Sequence, residues 1–214
     1  KIKGLILVID WDDWWGKGGL ITMNKQGKIQ ESIADCFETK IPLLADKVTL
    51  HNDLIKQRAI ESGVKKENIF KIYNGTDPEL YGKYFEDDQV KEKFREELKL
   101  PKDKTILFFG GAVATSMPFL LKVVKELNNE NILLIAVGPK NELPIELAHE
   151  MGIYDQVRFM DLLDYELFKK YTIAVDILLF PRSEKSLLDR CTFPGRIGEY
   201  LLARNPIITS DVGE

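Results

Sequence analysis

The residues best suited to chemistry lie near the carboxyl end of the chain, in the segment from Thr192 to Gly213. A loop ending in Pro194–Gly195 opens a helix that carries an early carboxylate, Glu199; the connection Arg204–Asn205–Pro206 and an apolar strand, Ile207–Ser210, follow. Helix starts offer N–H groups without intrahelical partners and the positive end of the peptide dipoles, which together seat an anion. A carboxylate one turn further in accepts hydrogen bonds from sugar hydroxyls, so the segment suits a diphosphate beside a ribose. The plain alternative is a carboxylate that only complements the helix dipole. A second concentration runs from Asp10 to Leu20, where all three tryptophans stand among three aspartates and three glycines. Aromatic faces stack on sugar C–H surfaces and carboxylates accept from hydroxyls, so carbohydrate contact is one reading. A magnesium site and a tryptophan-filled domain interface are the others.

The order Pro194, Arg196, Glu199, Tyr200, Leu201, Ala203, Pro206, Ile207, Ile208, Asp211, Val212, Gly213 resembles a signature of the retaining GT-B glycosyltransferases of group 1. In that family a Pro-x-Lys/Arg-x-x-Glu-Tyr-Leu-Ala helix precedes a Pro-Val-Val strand and a Thr-Asp-Val-Gly turn. The likeness runs back more loosely through Asn74–Gly75–Thr76–Asp77, similar to the family's domain junction, to about Leu5.

The resemblance implies an α/β fold of two Rossmann-like parallel-sheet domains, the first of them incomplete. Residues 1–76 would be the last part of an acceptor-side domain, 77–100 a linker with a charged helix, and 101–214 the donor domain. It implies transfer of a sugar from a nucleotide diphosphate sugar to the hydroxyl of a carbohydrate or lipid-linked acceptor, without cofactor or bound metal. Glu199 would hold the ribose, and Pro194, Gly195 and Arg196 the diphosphate. Gly110 and Gly111 would allow close approach, Leu163 would lie near the base, and Arg182 would supply a further cation. Glu184 and Asp12 are the expected catalytic carboxylates, with Asp10, Asp13 and Trp14 on the acceptor side.

Two departures matter. Relatives place an Arg just after the first glycine and a Lys a few residues on; here those places hold Gly111 or Ala112, and Ser116 or Met117. This removes two charge-assisted contacts to a departing diphosphate. Many relatives also carry a Glu eight positions before the helix Glu, where this chain has Cys191; Glu184 stands fifteen before and serves only if its loop bulges outward. Either Arg196 or Arg182 compensates, or turnover is weak, or the chain no longer catalyses. A silent relative that binds a nucleotide or a partner, and a sugar-nucleotide epimerase, are the rival readings.

The elements that must position these residues alternate along the chain. Strands are expected at Leu5–Asp10, Lys47–Leu50, Ile69–Tyr73, Thr105–Phe109, Ile132–Val137, Val157–Met160, Asp176–Phe180 and Pro206–Ser210. Helices are expected at 30–45, 53–62, 89–98, 118–127, 144–151, 165–171 and 194–203. Apolar strands alternating with amphipathic helices predict parallel sheets, which bind ligands beyond the carboxyl ends of their strands. At 214 residues, 44% hydrophobic and 30% charged, the chain has the makings of a globular core. A formal charge of −4 offers no basic excess for nucleic acid. No apolar run nears the ~20 residues of a membrane span. Two cysteines make no disulfide framework, so a reducing cytoplasm is expected. The family's usual peripheral contact with the inner membrane face lies in the absent first-domain portion. Both ends read as cut, since Lys1 directly precedes one core strand and Glu214 follows another. His51 and His149 read as surface or capping residues.

Overall fold

The computed structural model describes residues 4–23, 27–111 and 113–213. In chain order it builds β1 (Val8–Trp11), α1 (Lys28–Lys40), β2 (Lys47–Leu50), α2 (Asp53–Glu61) and β3 (Ile69–Lys71). Then come α3 (Val90–Glu97), β4 (Thr105–Gly110), α4 (Val113–Leu127), β5 (Ile132–Val137), α5 (Glu142–Glu150), β6 (Val157–Met160) and α6 (Tyr165–Ala174). The last elements are β7 (Ile177–Phe180), α7 (Leu187–Cys191), α8 (Gly195–Leu202) and β8 (Ile207–Thr209). The eight strands form two parallel sheets, β1-β2-β3 and β6-β5-β4-β7-β8.

The chain divides into two compact units. The first holds residues up to Gly75, Arg182–Gly195 and the stretch from Asp211; the second holds Thr76–Pro181 and Arg196–Ser210. The charged helix α3 therefore lies in the second unit, where Val90 joins the core and Arg95 pairs with Asp176 at 2.9 Å. The excursion of 182–195 into the first unit has a packing cause. Leu187, Leu188 and Cys191 join Trp11, Val48, Leu50, Ile55 and Ala59 in that unit's core.

Both faces of the five-stranded sheet are covered, as continuous apolar strands require. Ile106, Phe108, Ile135 and Leu178 face one core; Leu107, Phe109, Leu134 and Leu179 face the other. Two expectations need correction. β1 begins only at Val8, where its pairing with Lys47 starts, and Leu5 and Ile6 are 64% and 76% exposed; among the described residues nothing pairs the outer edge of β1. Helix α4 begins at Val113 rather than Pro118, which sits inside it and forgoes one backbone bond. The short α7 was not expected, although Ser186 marks its start: the Ser186 hydroxyl accepts from the Asp189 N–H at 3.1 Å, a capping contact.

The tryptophan loop is tied to α1. Glu38, nearly buried, accepts from Trp11 Nε1 at 3.2 Å and from the N–H groups of Trp15 and Gly16 at 2.7 and 2.9 Å. Arg58 reaches Glu38 at 2.9 Å and Asp35 at 2.6 Å, and its guanidinium lies 4.1 Å from the Trp14 ring centre. Removing the Glu38 carboxylate leaves three donors without their acceptor and takes one of two carboxylate partners from a largely buried guanidinium. Glu38→Ala is therefore expected to destabilise the protein by about 3 kcal/mol in urea unfolding. A loss under about 1 kcal/mol would mean that solvent replaces the carboxylate.

Candidate functional site

Strand β4 sits at the centre of its sheet. The chain steps outward through β5 and β6, then returns to the other side of β4 with β7 and β8. The switch point of this parallel sheet thus falls beside β4, where a ligand crevice is expected beyond the strand ends. A cavity of about 530 Å³ opens there. Its walls come from the carboxyl ends of three strands (Gly110, Gly111; Val137, Gly138, Pro139; Leu162, Leu163) and from two helix starts (Tyr165, Phe168; Arg196, Glu199).

The glycine pair works differently from a phosphate-binding loop. The Gly110 N–H donates to the buried Tyr200 hydroxyl at 3.0 Å, and the Gly111 N–H donates to the Val137 carbonyl at 2.9 Å. Both amides are committed inside the protein. What the glycines supply is space. A Cβ on Gly110 would stand 2.9 Å from the Phe168 ring, and one on Gly111 would stand 2.9 Å from the Phe109 ring and 3.1 Å from Arg196 Nη1. Arg196 itself donates to the Gly110 carbonyl, with its guanidinium 5.8 Å from the Phe168 ring centre. The cation absent from the loop after β4 is thus delivered to the same wall from α8. A guanidinium carries five N–H donors, so this one bond leaves capacity for an anion.

Glu199 stands one turn beyond Arg196 and lines the same cavity. Tyr165 lines it too; burial, then the charge of Glu199, raise the Tyr165 phenol above its ordinary range. Burial likewise pushes Tyr200 up to about 12, so it remains a neutral partner for Gly110. Gly198 gives α8 its close seat: a Cβ there would lie 2.9 Å from Thr76.

Of the expected donor residues, the structure brings together Glu199, Arg196, Gly110, Gly111 and Leu163. Pro194 and Gly195 precede them at the start of α8 without lining the cavity; a Cβ on Gly195 would meet nothing within 4 Å. Arg182 is turned into its own segment, where it donates to the Thr192 carbonyl at 3.2 Å, the Thr192 hydroxyl at 2.6 Å and the Asp189 carbonyl. Glu184 stands on an exposed turn outside the cavity. Tyr165 and Phe168 were not expected; their position at the start of the helix after β6 is the signal that could have found them.

The first unit has a cavity of its own, about 410 Å³, lined by Asp10, Asp12, Asp13, Trp15 and Phe37 among others. Trp15 presents its ring there, whereas Trp14 is held under Arg58. Asp10 accepts from the Thr49 hydroxyl at 2.5 Å. His51 is buried rather than superficial: its Nε2 accepts from the Phe193 N–H at 3.0 Å and its Nδ1 faces Asp12 at 3.3 Å. His149 is exposed and stacks on Tyr154. Among the described residues no three His, Cys, Asp or Glu side chains gather to hold a metal, and no helix is long and apolar enough to cross a membrane.

With this geometry in place, comparison with known proteins assigns the family. The model of the group 1 glycosyl transferases matches residues 103–214, and the chain belongs to that family. No curated protein matches the chain by sequence. Solved structures share the fold. HepE of Anabaena, in complex with UDP and glucose, superposes with a TM-score of 0.70 at 15% identity, over 97% of this chain and 53% of its own. WaaG, a glycosyltransferase involved in lipopolysaccharide biosynthesis, gives 0.69 at 17% identity, over 96% of this chain and 56% of its own. Sucrose-phosphate synthase from Thermosynechococcus elongatus gives 0.65 at 19%, over 96% and 50%. The chain thus spans about half the length of these proteins and has the α/β, parallel-sheet architecture of the GT-B fold.

Two outcomes follow from the geometry. Tyr200→Phe leaves the buried Gly110 N–H without its acceptor and should cost about 1–3 kcal/mol in equilibrium unfolding; an unchanged midpoint would show that the strand end relaxes. Burial, then the neighbouring Asp12 charge, raise the Asp13 carboxyl, while His51 opposes them. A raised folded-state pKa means that Asp13 favours the fold below its unfolded pKa and that this contribution is lost as pH rises through the folded value. Asp13→Asn should therefore be more stable than the parent at neutral pH and lose that advantage in acid; the reverse trend in thermal unfolding would refute the assignment.

Proposed function

We propose that the second unit binds the nucleotide diphosphate of a sugar donor, and that the chain is the donor-binding part of a glycosyltransferase. The observation that carries this reading is the convergence of Arg196 and Glu199, one turn apart on α8, on a single cavity beside the central strand. Glu199 accepts from ribose hydroxyls. Arg196 meets the diphosphate, in the room left by Gly111, and the apolar wall of Leu162, Leu163 and Pro139 faces the base. In the reaction the bond between the anomeric carbon and the diphosphate oxygen breaks, and the acceptor oxygen bonds to that carbon. The acceptor's proton leaves with the diphosphate, and the new bond keeps the donor's anomeric configuration. Charge growing on the diphosphate is stabilised by Arg196, a preorganised cation in a partly dry site. The neighbour solved with UDP and with UDP-glucose supports a nucleotide sugar as the ligand class. For the acceptor, the aspartates and the Trp15 and Phe37 rings of the first unit's cavity support a hydroxyl-rich, carbohydrate-bearing molecule.

A second reading, a relative that binds the nucleotide without turnover, draws on the loop after β4. Met117 is fully buried and Ser116 carries no charge, so Arg196 is the cation seen on this wall. Calorimetric titration with UDP, GDP and ADP tests the site. Glu199→Ala should weaken the tightest of them by roughly ten- to a hundredfold, the worth of about 1.5–3 kcal/mol for bonds to a charged group. Binding indifferent to the substitution removes Glu199 from the site. Tight binding without release of sugar to any acceptor or to water favours the silent relative.

A further inference from the structure

The guanidinium of Arg196 is held on the cavity wall by neutral groups. One is the Gly110 carbonyl, which accepts from it; the other is the Phe168 ring, whose centre lies 5.8 Å from the guanidinium carbon. Among the described residues no carboxylate forms an ion pair with Arg196. The distinction matters for an anion site. A carboxylate fixes a guanidinium and neutralises it, whereas a carbonyl and an aromatic face fix it and leave its charge and its other N–H donors free. Phe168 is itself well seated. Its half-buried ring stacks on Tyr200, with centres 6.5 Å apart and 14° between the planes, and meets Phe108 edge-on at 5.6 Å. The absence of a Cβ at Gly110 leaves the ring its room, since that atom would stand 2.9 Å from it. Arg196 and Tyr200 are four residues apart on α8 and so share one face of the helix, the face that meets Phe168. Arg196 and Phe168 both line the cavity.

We propose that Phe168 is a positioning residue for Arg196: its ring, together with the Gly110 carbonyl, holds the guanidinium in place for the diphosphate without neutralising it. This rests on the donor reading above and names the group that sets its cation. A free arginine side chain loses rotamer freedom when it binds an anion, and seating it beforehand removes that cost from the binding step. The planar, weakly hydrated guanidinium is the cation suited to such a seat.

A double-mutant cycle tests the role, because it asks whether the ring acts through the guanidinium. UDP, or whichever of GDP and ADP the 214-residue chain binds more tightly, would be titrated into the parent, Phe168→Leu, Arg196→Met and the double variant. Thermal unfolding of each would be followed in parallel, with Phe168→Met replacing Phe168→Leu should the latter not fold. The expected loss is roughly three- to tenfold in Phe168→Leu, the worth of a partly exposed cation–π contact. In Arg196→Met it is roughly ten- to a hundredfold, the worth of bonds to a charged group. Removing the ring from the Arg196→Met chain should then cost no more than about twofold further. A ring that only packs, or that touches the nucleotide directly, costs the same in both backgrounds, and that result would overturn the proposal. Phe168→Leu without effect in the parent overturns it as well. In either case weaker binding in Arg196→Met and Glu199→Ala leaves the donor reading standing. Arg196→Met without effect, while Glu199→Ala weakens binding, overturns the positioning role and takes Arg196 away from the diphosphate. Binding indifferent to both Arg196→Met and Glu199→Ala, or no binding of any of the three nucleotides, overturns both readings.

Discussion

Helix α8 and strand β4 are joined at one residue. The buried Tyr200 hydroxyl takes the Gly110 N–H at 3.0 Å, while Arg196, one turn earlier on the same helix, returns a bond to the Gly110 carbonyl. Both polar groups of the last peptides of the central strand are thereby met by side chains from a single helix. A buried N–H or carbonyl left without a partner costs more than an ordinary hydrogen bond gains, so the helix cannot rotate or slide without penalty. That constraint places Glu199. It lies between Arg196 and Tyr200 on a helix whose two flanking side chains are bonded to the sheet, and it lines the cavity.

The stretch of chain before that helix is held within the first unit. Phe193 has its N–H held by His51 at 3.0 Å and its carbonyl held by the Asn74 amide at 2.8 Å, and its ring lies 5.3 Å from that of Tyr73. The Asn52 side chain adds a bond to the Arg190 carbonyl at 3.0 Å, and Arg182 gathers the carbonyls of its own loop. The stretch 182–195 is therefore a built part of the first unit rather than a slack connection. This explains why Arg182, which resemblance offered as a ligand for the diphosphate, serves the backbone instead. The chain leaves the first unit between Gly195 and Arg196, at the start of α8.

Most of the fold was legible because its strands are short apolar runs between turn signals. The limits of Lys47–Leu50, Ile132–Val137 and Val157–Met160 are those the sequence suggests. Leu5–Leu7 misled because hydrophobicity reports the wish to be buried, while strand pairing needs a partner in register, and pairing starts at Val8. Pro118 misled because a proline is more at home in a first turn than inside a helix. Within the site, Glu199 and Arg196 were legible from their place in a motif. Tyr165 and Phe168 were marked only by their place at the start of the helix after β6, since the ring contacts of Phe168 lie with β4 and α8. Trp14 and Trp15 are adjacent and alike in type. Which of them met the cavity depended on Arg58, more than forty residues away.

By itself, the sequence determined the parallel α/β class, the order of the strands' appearance and the helix start that carries Arg196 and Glu199. These follow from local rules: periodicity, turn residues and the unpaired groups of a helix end. Tertiary structure alone decided which cation reaches the cavity wall, that both glycine amides are spent internally, and that Tyr165 and Phe168 line the same cavity as Glu199. Each of those depends on atoms brought together from distant elements, and desolvation at close quarters, invisible in a linear string, sets which contacts are worth making.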